Sequence, residues 1–474
     1  MLEEVAADIC ASPVFQTTVD RIEQAWLRRQ LELDMAAGIS TLEVKKLLEA
    51  AAILACSSKK QNRQLAYRIA TLAFEHCGET ELPSDQALRV VLTRLGNFPA
   101  LNTKPAIESA ATRLPLSLFV EEQHAVKSHT LSIGENTLVL TPFQFELWAS
   151  LAEGSQVAFN APTSSGKSFV LGQYVCSRFL SSGSLNVVFL VPTRALISQV
   201  ADDVAQLLGD LKLDDVDVIW LPPSEEAELP SRSVYVFTQE RLQLLLGTHT
   251  NFNPDLVVVD EAQSISDGSR GVLLQWAIDD ILDAGQSTQV LFASPAVSNL
   301  EVFQNLFRLP NLRALTTAEP SVSQNFIVAK VTSTKNGEIE LASLGDGSAE
   351  RRFLGKKSLN QVLASKRDRL VHISHHFGAG SVNIVYANGA AEAEKVALQL
   401  ADMQDESTLF HDSLKDLAEL ADESVHPKYA LSYCIQKGVA FHYGNIPTKL
   451  RRAIEVAASS GLIRYLVCTS TLLQ

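Results

Sequence analysis

Val157-Ala158-Phe159-Asn160-Ala161-Pro162-Thr163-Ser164-Ser165-Gly166-Lys167-Ser168 decides the fold of this chain. Its first four residues read as a short buried strand. From Phe169 onward, Phe169-Val170-Leu171-Gly172-Gln173-Tyr174-Val175-Cys176 reads as an apolar helix. The loop between them has the composition of a phosphate cradle. Ser164, Ser165 and Gly166 are small enough to let backbone N–H groups approach an anion, and the N-terminus of the following helix adds its dipole. Lys167 can reach the β- and γ-phosphates as a point charge, and Ser168 can offer its hydroxyl to Mg²⁺.

About a hundred residues downstream, the apolar run Asp255-Leu256-Val257-Val258-Val259 ends in Asp260-Glu261-Ala262-Gln263. A carboxylate pair that closes a buried strand emerges at the carboxyl edge of a parallel sheet, where open α/β folds bind ligands. Asp260 is then placed to hold Mg²⁺ and Glu261 to position an attacking water. Phosphoryl transfer mostly needs this combination of positioning and charge neutralisation. Together the two segments imply a chain that binds a nucleoside triphosphate with magnesium and hydrolyses it.

Strands alternate with helical stretches around these segments, the pattern of a parallel sheet. The expected fold class is α/β, with four regions: an all-helical accessory domain at 1–105, a first ATP-binding lobe at 106–310, an interlobe segment at 311–369 and a second lobe at 370–474. In the first region Ser40-Thr41-Leu42-Glu43 is a capping box, and Val44, Leu47, Leu48, Ala51, Leu54 and Ala55 follow at helical spacing. A second helix carries Leu65, Ile69, Leu72 and Ala73, with Gly78 and Pro83 as stops. A third begins at Ser84-Asp85 with Leu88, Val91, Leu92 and Leu95 on one face. Leu116 to Leu140 reads as strands broken at Gly134-Glu135-Asn136. Val322 to Leu344 reads as short strands with a turn at Asn336-Gly337. The basic stretch Arg351-Arg352, Lys356-Lys357, Lys366-Arg367 reads as a solvated helix face, with a nucleic-acid contact as the alternative.

The 474 residues are 46% hydrophobic and 20% charged, a globular balance. No run approaches the roughly 18 apolar residues of a membrane span, and the acidic N-terminus lacks the order of a signal peptide. No membrane association is expected. The six scattered cysteines form no C-x-x-C pair, which fits reduced thiols in a cytoplasm. A net charge of −14 argues against broad electrostatic adhesion to nucleic acid, though not against a narrow channel that grips a backbone with a few groups.

From Thr141 to the C-terminus the chain resembles the superfamily 2 helicases of DEAD/DEAH-box type, with the variant box D-E-A-Q. A-P-T-S-S-G-K-S, with Ala161 where the general phosphate loop has Gly, is similar to motif I of that family. Thr141-Pro142-Phe143-Gln144 resembles its Q motif. Pro192-Thr193-Arg194-Ala195-Leu196 resembles motif Ia, and Thr238-Gln239-Glu240-Arg241-Leu242 motif Ib. Ser294-Pro295-Ala296 stands where S-A-T of motif III is expected. Val382 to Asn388 with Glu392, Glu394 and Lys395 resembles motif IV. Val439 to Pro447 resembles the segment that follows it, with Arg451, Arg452 and Glu455 on the next helix, and Tyr465 to Leu472 resembles the start of motif V.

The resemblance implies RecA-like P-loop NTPase lobes, with ATP and Mg²⁺ as cofactors and DNA or RNA as partner. It implies ATP contacts at Gln144, Ala161 and Thr163 through Ser168, and catalysis by Lys167, Asp260 and Glu261. It also implies nucleic-acid contacts at Arg194, Thr238, Gln239, Arg241, His442, Gly444 and Thr469, and coupling through Ser294 and Ala296. Ala296 lacks the hydroxyl of the family's Thr, which puts that coupling in question. The chain ends at Gln474, before the motif VI that supplies an arginine finger, worth roughly 10³–10⁵ in rate in comparable hydrolases. It therefore reads as a fragment, with one complete lobe and a truncated second, and is expected to hydrolyse ATP poorly alone. The F-H-Y-G-N-I-P and T-S-T-L segments resemble helicase subunits of anti-phage systems such as Hachiman. Two other functions fit the same motifs. One is a translocase on duplex DNA that does not separate strands. The other is an ATP-gated nucleic-acid sensor that signals through a protein docked on the N-terminal helices.

Overall fold

The computed structural model describes residues 1–34, 38–77, 83–162, 165–284, 287–295, 297, 299–317, 324–344, 351–404, 412–426 and 428–469. They form two compact units. One comprises Met1–Glu23 and Ile39–Gln324, the other Gln24–Gly38 and Asn325–Gln474.

The first unit begins with helices. Ser40 and Glu43 close the expected capping box on the helix Thr41–Leu54, which buries Val44, Leu47, Leu48, Ala51 and Leu54. The helix Lys60–Cys77 buries Ile69, Leu72 and Ala73. The helix Ser84–Leu95 buries Leu88, Val91, Leu92 and Leu95 and ends on Gly96, whose φ of 71° gives a left-handed C-cap. The proposed stop at Gly78 lies outside the described residues, and Pro83 sits at the N-cap of the third helix.

One sequence expectation is corrected here. Leu116–Ser128 is a helix, and only the strands β1 (Thr130–Ile133) and β2 (Asn136–Val139) after it form the expected hairpin. The helical period was hidden because the residue that anchors this helix is charged. Glu122 is buried and takes Nε and Nη2 of the buried Arg89 at 2.7 Å each. Arg89 Nη1 also donates to the carbonyls of Leu101 and Ile107. Leu116, Phe119 and Val120 stay exposed, so apolar spacing carried no signal.

The rest of the unit is a seven-stranded, wholly parallel sheet: β3 (Val157–Asn160), β4 (Leu185–Leu190), β5 (Asp217–Ile219), β6 (Arg232–Phe237), β7 (Leu256–Val259), β8 (Gln289–Ser294) and β9 (Arg313–Thr316), in the spatial order β5-β6-β4-β7-β8-β3-β9. The central strands are buried on both faces and read as continuous apolar runs for that reason. Two apolar clusters, one on each face, hold the helices. Val170, Val175 and Phe179 lie in one, and Leu242, Ile278 and Phe303 in the other.

The second unit holds two sheets. β10 (Phe326–Ser333), β11 (Glu338–Leu344) and β12 (Arg351–Ser358) are antiparallel, with the expected turn between the first two; Leu27 packs on Ile339, Leu341 and Leu354. The second correction falls here, because Arg351–Ser358 is a strand. The helix begins only at Lys366, capped by Ser365. Its basic residues meet acidic partners across the ladder and elsewhere in the unit: Lys356 pairs with Glu340 at 3.0 Å, Lys357 with Glu32 and Arg367 with Glu392. The other sheet is parallel, in the order β13 (Asn383–Tyr386), β15 (Tyr465–Cys468), β14 (Val439–His442), with Val396, Leu400, Phe441 and Ile454 in its core.

Candidate nucleotide site

Strand order places the site. β7, β8 and β3 are neighbours, so the acidic box after β7, Ser294 at the end of β8 and the phosphate loop after β3 leave three adjacent carboxyl ends. With roughly 4.8 Å between strands, the box and the loop stand about 10 Å apart, a gap suited to a phosphate chain with its cation.

On the loop, Ser165 turns back on Pro162: its N–H donates to the Pro162 carbonyl at 3.0 Å and its hydroxyl at 2.7 Å. Gly166 follows with φ 73°, and a Cβ there would stand 2.5 Å from Gln144 Nε2, so only glycine fits without displacing that side chain. Lys167 opens the helix Lys167–Ser181. It is 4% exposed, and its ammonium has no hydrogen-bond partner among the described residues. A buried ammonium calls for hydrogen-bond acceptors, and a phosphate group could supply them here. Ser168 is exposed in the first turn of the same helix. Ala161 is buried, and Thr163 and Ser164 lie outside the described residues.

Opposite the loop, Asp260 accepts from the Glu261 amide at 3.0 Å. Burial, and then the neighbouring Glu261 charge, push its carboxyl above the usual aspartate range, while Lys167 acts in the other direction. This donor set fits a divalent cation. Glu261 has φ 51°, a left-handed conformation that costs a non-glycine residue of order 1–2 kcal/mol and is characteristic of functional positions. Gln263 donates to its carboxylate. Gln263 also accepts from the Ser294 hydroxyl at 2.8 Å, and Ser294 is fully buried. Through its carbonyl Ser294 takes the Ala161 amide at 3.0 Å. Ser294 is thus bonded to the phosphate loop by its backbone and to the acidic box by its side chain. Gln263 was visible in the sequence as the variant letter of the box, but its linking role was not. Ala296 lies outside the described residues.

Gln144 is buried, and both ends of its amide are engaged. Its Oε1 accepts from the Thr141 amide at 2.9 Å in a capping box on the helix Pro142–Ala152, and its Nε2 donates to the Ser165 carbonyl at 3.0 Å. T-x-x-Q is a capping signature, and that second use of the segment was legible in the sequence.

The residues assigned to nucleic acid fall in both units, and those of the first unit follow the adjacent strands β4 and β6. Arg194 is exposed at the start of the helix Arg194–Asp210. Thr238 and Gln239 are buried, and Arg241 donates to the Trp220 carbonyl. Arg270, which sequence reasoning did not single out, joins two of these loops: it donates to the Pro192 carbonyl at 2.6 Å and to Glu240 at 3.1 Å. In the second unit His442 is buried against Glu455 at 2.8 Å, Gly444 is exposed, and Thr469 is buried with its amide 3.3 Å from the His442 carbonyl. Among the described residues no two cysteines form a disulfide, and burial pushes the thiols of Cys176 and Cys434 up to about 12, as inert core groups.

Comparison with known proteins agrees with this geometry. Residues 141–303 match the family model described as DEAD/DEAH box helicase. The chain is similar to the human protein named Helicase POLQ-like, 23% identical over 68% of this chain and 30% of that protein. It is similar to ATP-dependent DNA helicase Hel308 of Pyrococcus horikoshii, 25% identical over 70% of this chain and 43% of that protein. It is also similar to ATP-dependent RNA helicase mtr4 of Schizosaccharomyces pombe, 22% identical over 70% and 32%. The chain thus spans less than half the length of these curated relatives. Among the described residues no helix is long and apolar enough to cross a membrane. Residues 141–303 thus carry the match to the DEAD/DEAH box helicase model, within a chain that is similar over about two thirds of its length to helicases.

Proposed function

We propose that this chain binds ATP with Mg²⁺ between the phosphate loop and the acidic box, hydrolyses it, and uses the cycle to move along or unwind DNA or RNA. The observation that carries the reading is the buried ammonium of Lys167, which has no hydrogen-bond partner among the described residues and is set across the width of β8 from Asp260 and Glu261. Lys167 and the loop amides bind the β- and γ-phosphates. Ser168 and Asp260 hold the cation, which when bound neutralises charge on the transferring phosphoryl group. Glu261, oriented by Gln263, accepts a hydrogen bond from the attacking water. Arg194, Thr238, Gln239 and Arg241 stand in the motifs that grip a nucleic-acid strand in relatives of this type, and His442, Gly444 and Thr469 stand in the corresponding segments of the second unit. The named relatives include a DNA helicase and an RNA helicase, so both tracks are tested.

The experiment is ATP turnover and strand displacement on DNA and RNA duplexes, with wild type and Glu261→Gln. Glu261→Gln should bind ATP as wild type does and lose roughly 10²–10⁴ in hydrolysis. Wild type that binds no ATP would refute the reading. ATP turnover without strand displacement would move it to a duplex translocase or an ATP-gated sensor.

A further inference from the structure

The antiparallel sheet of β10, β11 and β12 has two unlike faces. Ile339, Leu341 and Leu354 turn inward and pack on Leu27. The composition of the outer face follows from side-chain alternation and from the register. Lys330 of β10, Glu340 of β11 and Lys356 of β12 stand side by side across it. Two residues along β11, Ala342 has Phe353 as its partner. Two residues further, Leu344 lies between Phe326 and Arg351. Phe326 is 57% exposed and Phe353 56%, and Lys330, Arg351 and Lys356 are exposed with them.

Two phenylalanine rings thus face water on a sheet whose other side already has a core. They stand on the two outer strands, two residues out of line, so about 12 Å separates their positions. The charge around them is of one sign. Glu340 pairs with Lys356 at 3.0 Å and lies 3.9 Å from Lys330, so one carboxylate meets two ammonium groups. Arg351 adds a third positive charge in the row of Phe326. The second carboxylate of this face, Glu338, lies at its turn end, away from the rings. In a chain of net charge −14, this face is positive where its rings are. Other basic residues nearby are used elsewhere: Lys357 lies on the inner side and pairs with Glu32, and Arg367 pairs with Glu392. A sheet face that joins exposed rings to basic groups takes unstacked bases on the rings and phosphates on the cations. A duplex, with its bases stacked inside, offers the rings nothing.

We propose that the outer face of β10, β11 and β12 is a binding site for single-stranded nucleic acid, in addition to the motif residues at the ends of the parallel strands. Phe326 and Phe353 each stack on a base, and Lys330, Arg351 and Lys356 contact phosphates. The proposal rests on the reading of this chain as a nucleic-acid motor, and it gives that motor a second foothold on the strand. Ring faces and charges do not distinguish bases, so the site accepts any sequence. Removal of one stacking ring costs roughly 5- to 150-fold in affinity. Removal of one phosphate contact to a single strand lowers the slope of log affinity against log salt by about 0.7.

Fluorescence anisotropy over a salt series gives the affinity of the full chain for oligo-dT, oligo-rU and a blunt DNA duplex. The proteins compared are wild type, Phe326→Ala/Phe353→Ala, Phe353→Trp and Arg351→Gln. The double alanine variant should bind single strands about 5-fold or more weakly and keep duplex affinity within about twofold. Its melting temperature should match wild type, since both rings are exposed. Phe353→Trp should keep wild-type affinity, and its added fluorescence should be quenched by the oligonucleotide, which a ring with a structural role alone would not show. Arg351→Gln should lower the salt slope by about 0.7. A loss confined to oligo-dT or to oligo-rU supports the site and assigns its sugar. Full single-strand affinity in the double alanine variant, together with unquenched Phe353→Trp, overturns the proposal and leaves this face to a protein partner. An equal loss on duplex and single strand overturns it as well. Wild type that binds none of the three probes overturns the nucleic-acid reading on which the proposal rests.

Discussion

Lys167→Met should make the nucleotide-free protein more stable and shrink the further stabilisation that ATP gives. Lys167 is nearly fully buried and its ammonium meets no acceptor among the described residues. A buried polar group left unpaired costs about 1–3 kcal/mol, and more when charged. Methionine fills nearly the same volume without the charge. The gain is partly offset, because Lys167 is the cation that restrains the upward pressure on the Asp260 carboxyl. The double variant Lys167→Met/Asp260→Asn removes both charges and should show the larger effect. For a unit of this size a gain of 1–3 kcal/mol corresponds to a rise of about 2–5 °C in Tm.

With ATP present that gain is offset. A ligand at 100 times its Kd stabilises wild type by about 2.7 kcal/mol. Loss of a charged hydrogen bond worth about 1.5–3 kcal/mol weakens binding roughly 10- to 150-fold, so about half or more of that stabilisation vanishes at the same ATP concentration. Scanning calorimetry with and without Mg·ATP reads both effects in one experiment. A variant that is less stable without nucleotide and keeps the wild-type ATP shift would refute the reasoning, because Lys167 would then be a structural residue with a partner in solution.

Three further outcomes are expected. Ser294→Ala should leave ATP affinity within about twofold and lower turnover by roughly 2- to 12-fold, the net worth of one hydrogen bond, since it frees Gln263 and through it Glu261; steady-state kinetics and calorimetry separate the two. Because the folded Asp260 carboxyl titrates above its unfolded value, its ionisation opposes folding. Wild-type stability without nucleotide should therefore fall as pH rises from about 4 through the raised folded value, and Asp260→Asn should flatten that fall in a pH series of melting curves. Mg²⁺ dependence of ATP binding should strengthen over the same rise in wild type alone. Arg89→Met, which strands the buried Glu122, should destabilise the first unit by about 3–5 kcal/mol, and Arg89→Met/Glu122→Leu should recover most of it in denaturant melts.

The parallel sheet was legible because its signals are local. Val157–Asn160, Leu185–Leu190 and Leu256–Val259 are apolar runs that end in loops with unmistakable side chains, and a glycine and a lysine at fixed spacing leave few alternatives for the turn between β3 and its helix. The errors came where burial is satisfied by charge. Glu122 anchors its helix by pairing with Arg89 from another helix, and the lysines of β12 are matched to Glu340 across the ladder and to Glu32, so neither stretch displays the period of its apolar residues. Capping was read at Ser40–Glu43 but not at Thr141–Gln144, where the ligand-binding reading of Gln144 displaced the helix-start reading of the same four residues. The Gln263–Ser294 link could not be read at all, because nothing in a sequence states that β8 will lie between β7 and β3.

That interposed strand changes how the variant motifs should be understood. The sequence loses a hydroxyl at Ala296, which suggested a weakened connection between the acidic box and the rest of the site. Yet the connection observed runs through the first residue of that motif. Ser294 has its carbonyl on the phosphate loop and its hydroxyl on Gln263, and Gln263 in turn holds Glu261. A glutamine at the last position of the box suits this link because it carries both a donor and an acceptor on one planar group; a carboxylate there would face the Glu261 carboxylate with no proton to share. The D-E-A-Q box and the surviving serine are thus complementary. The phosphate loop and the Glu261 carboxylate are thereby linked through two side chains and one backbone bond, all within three neighbouring strand ends.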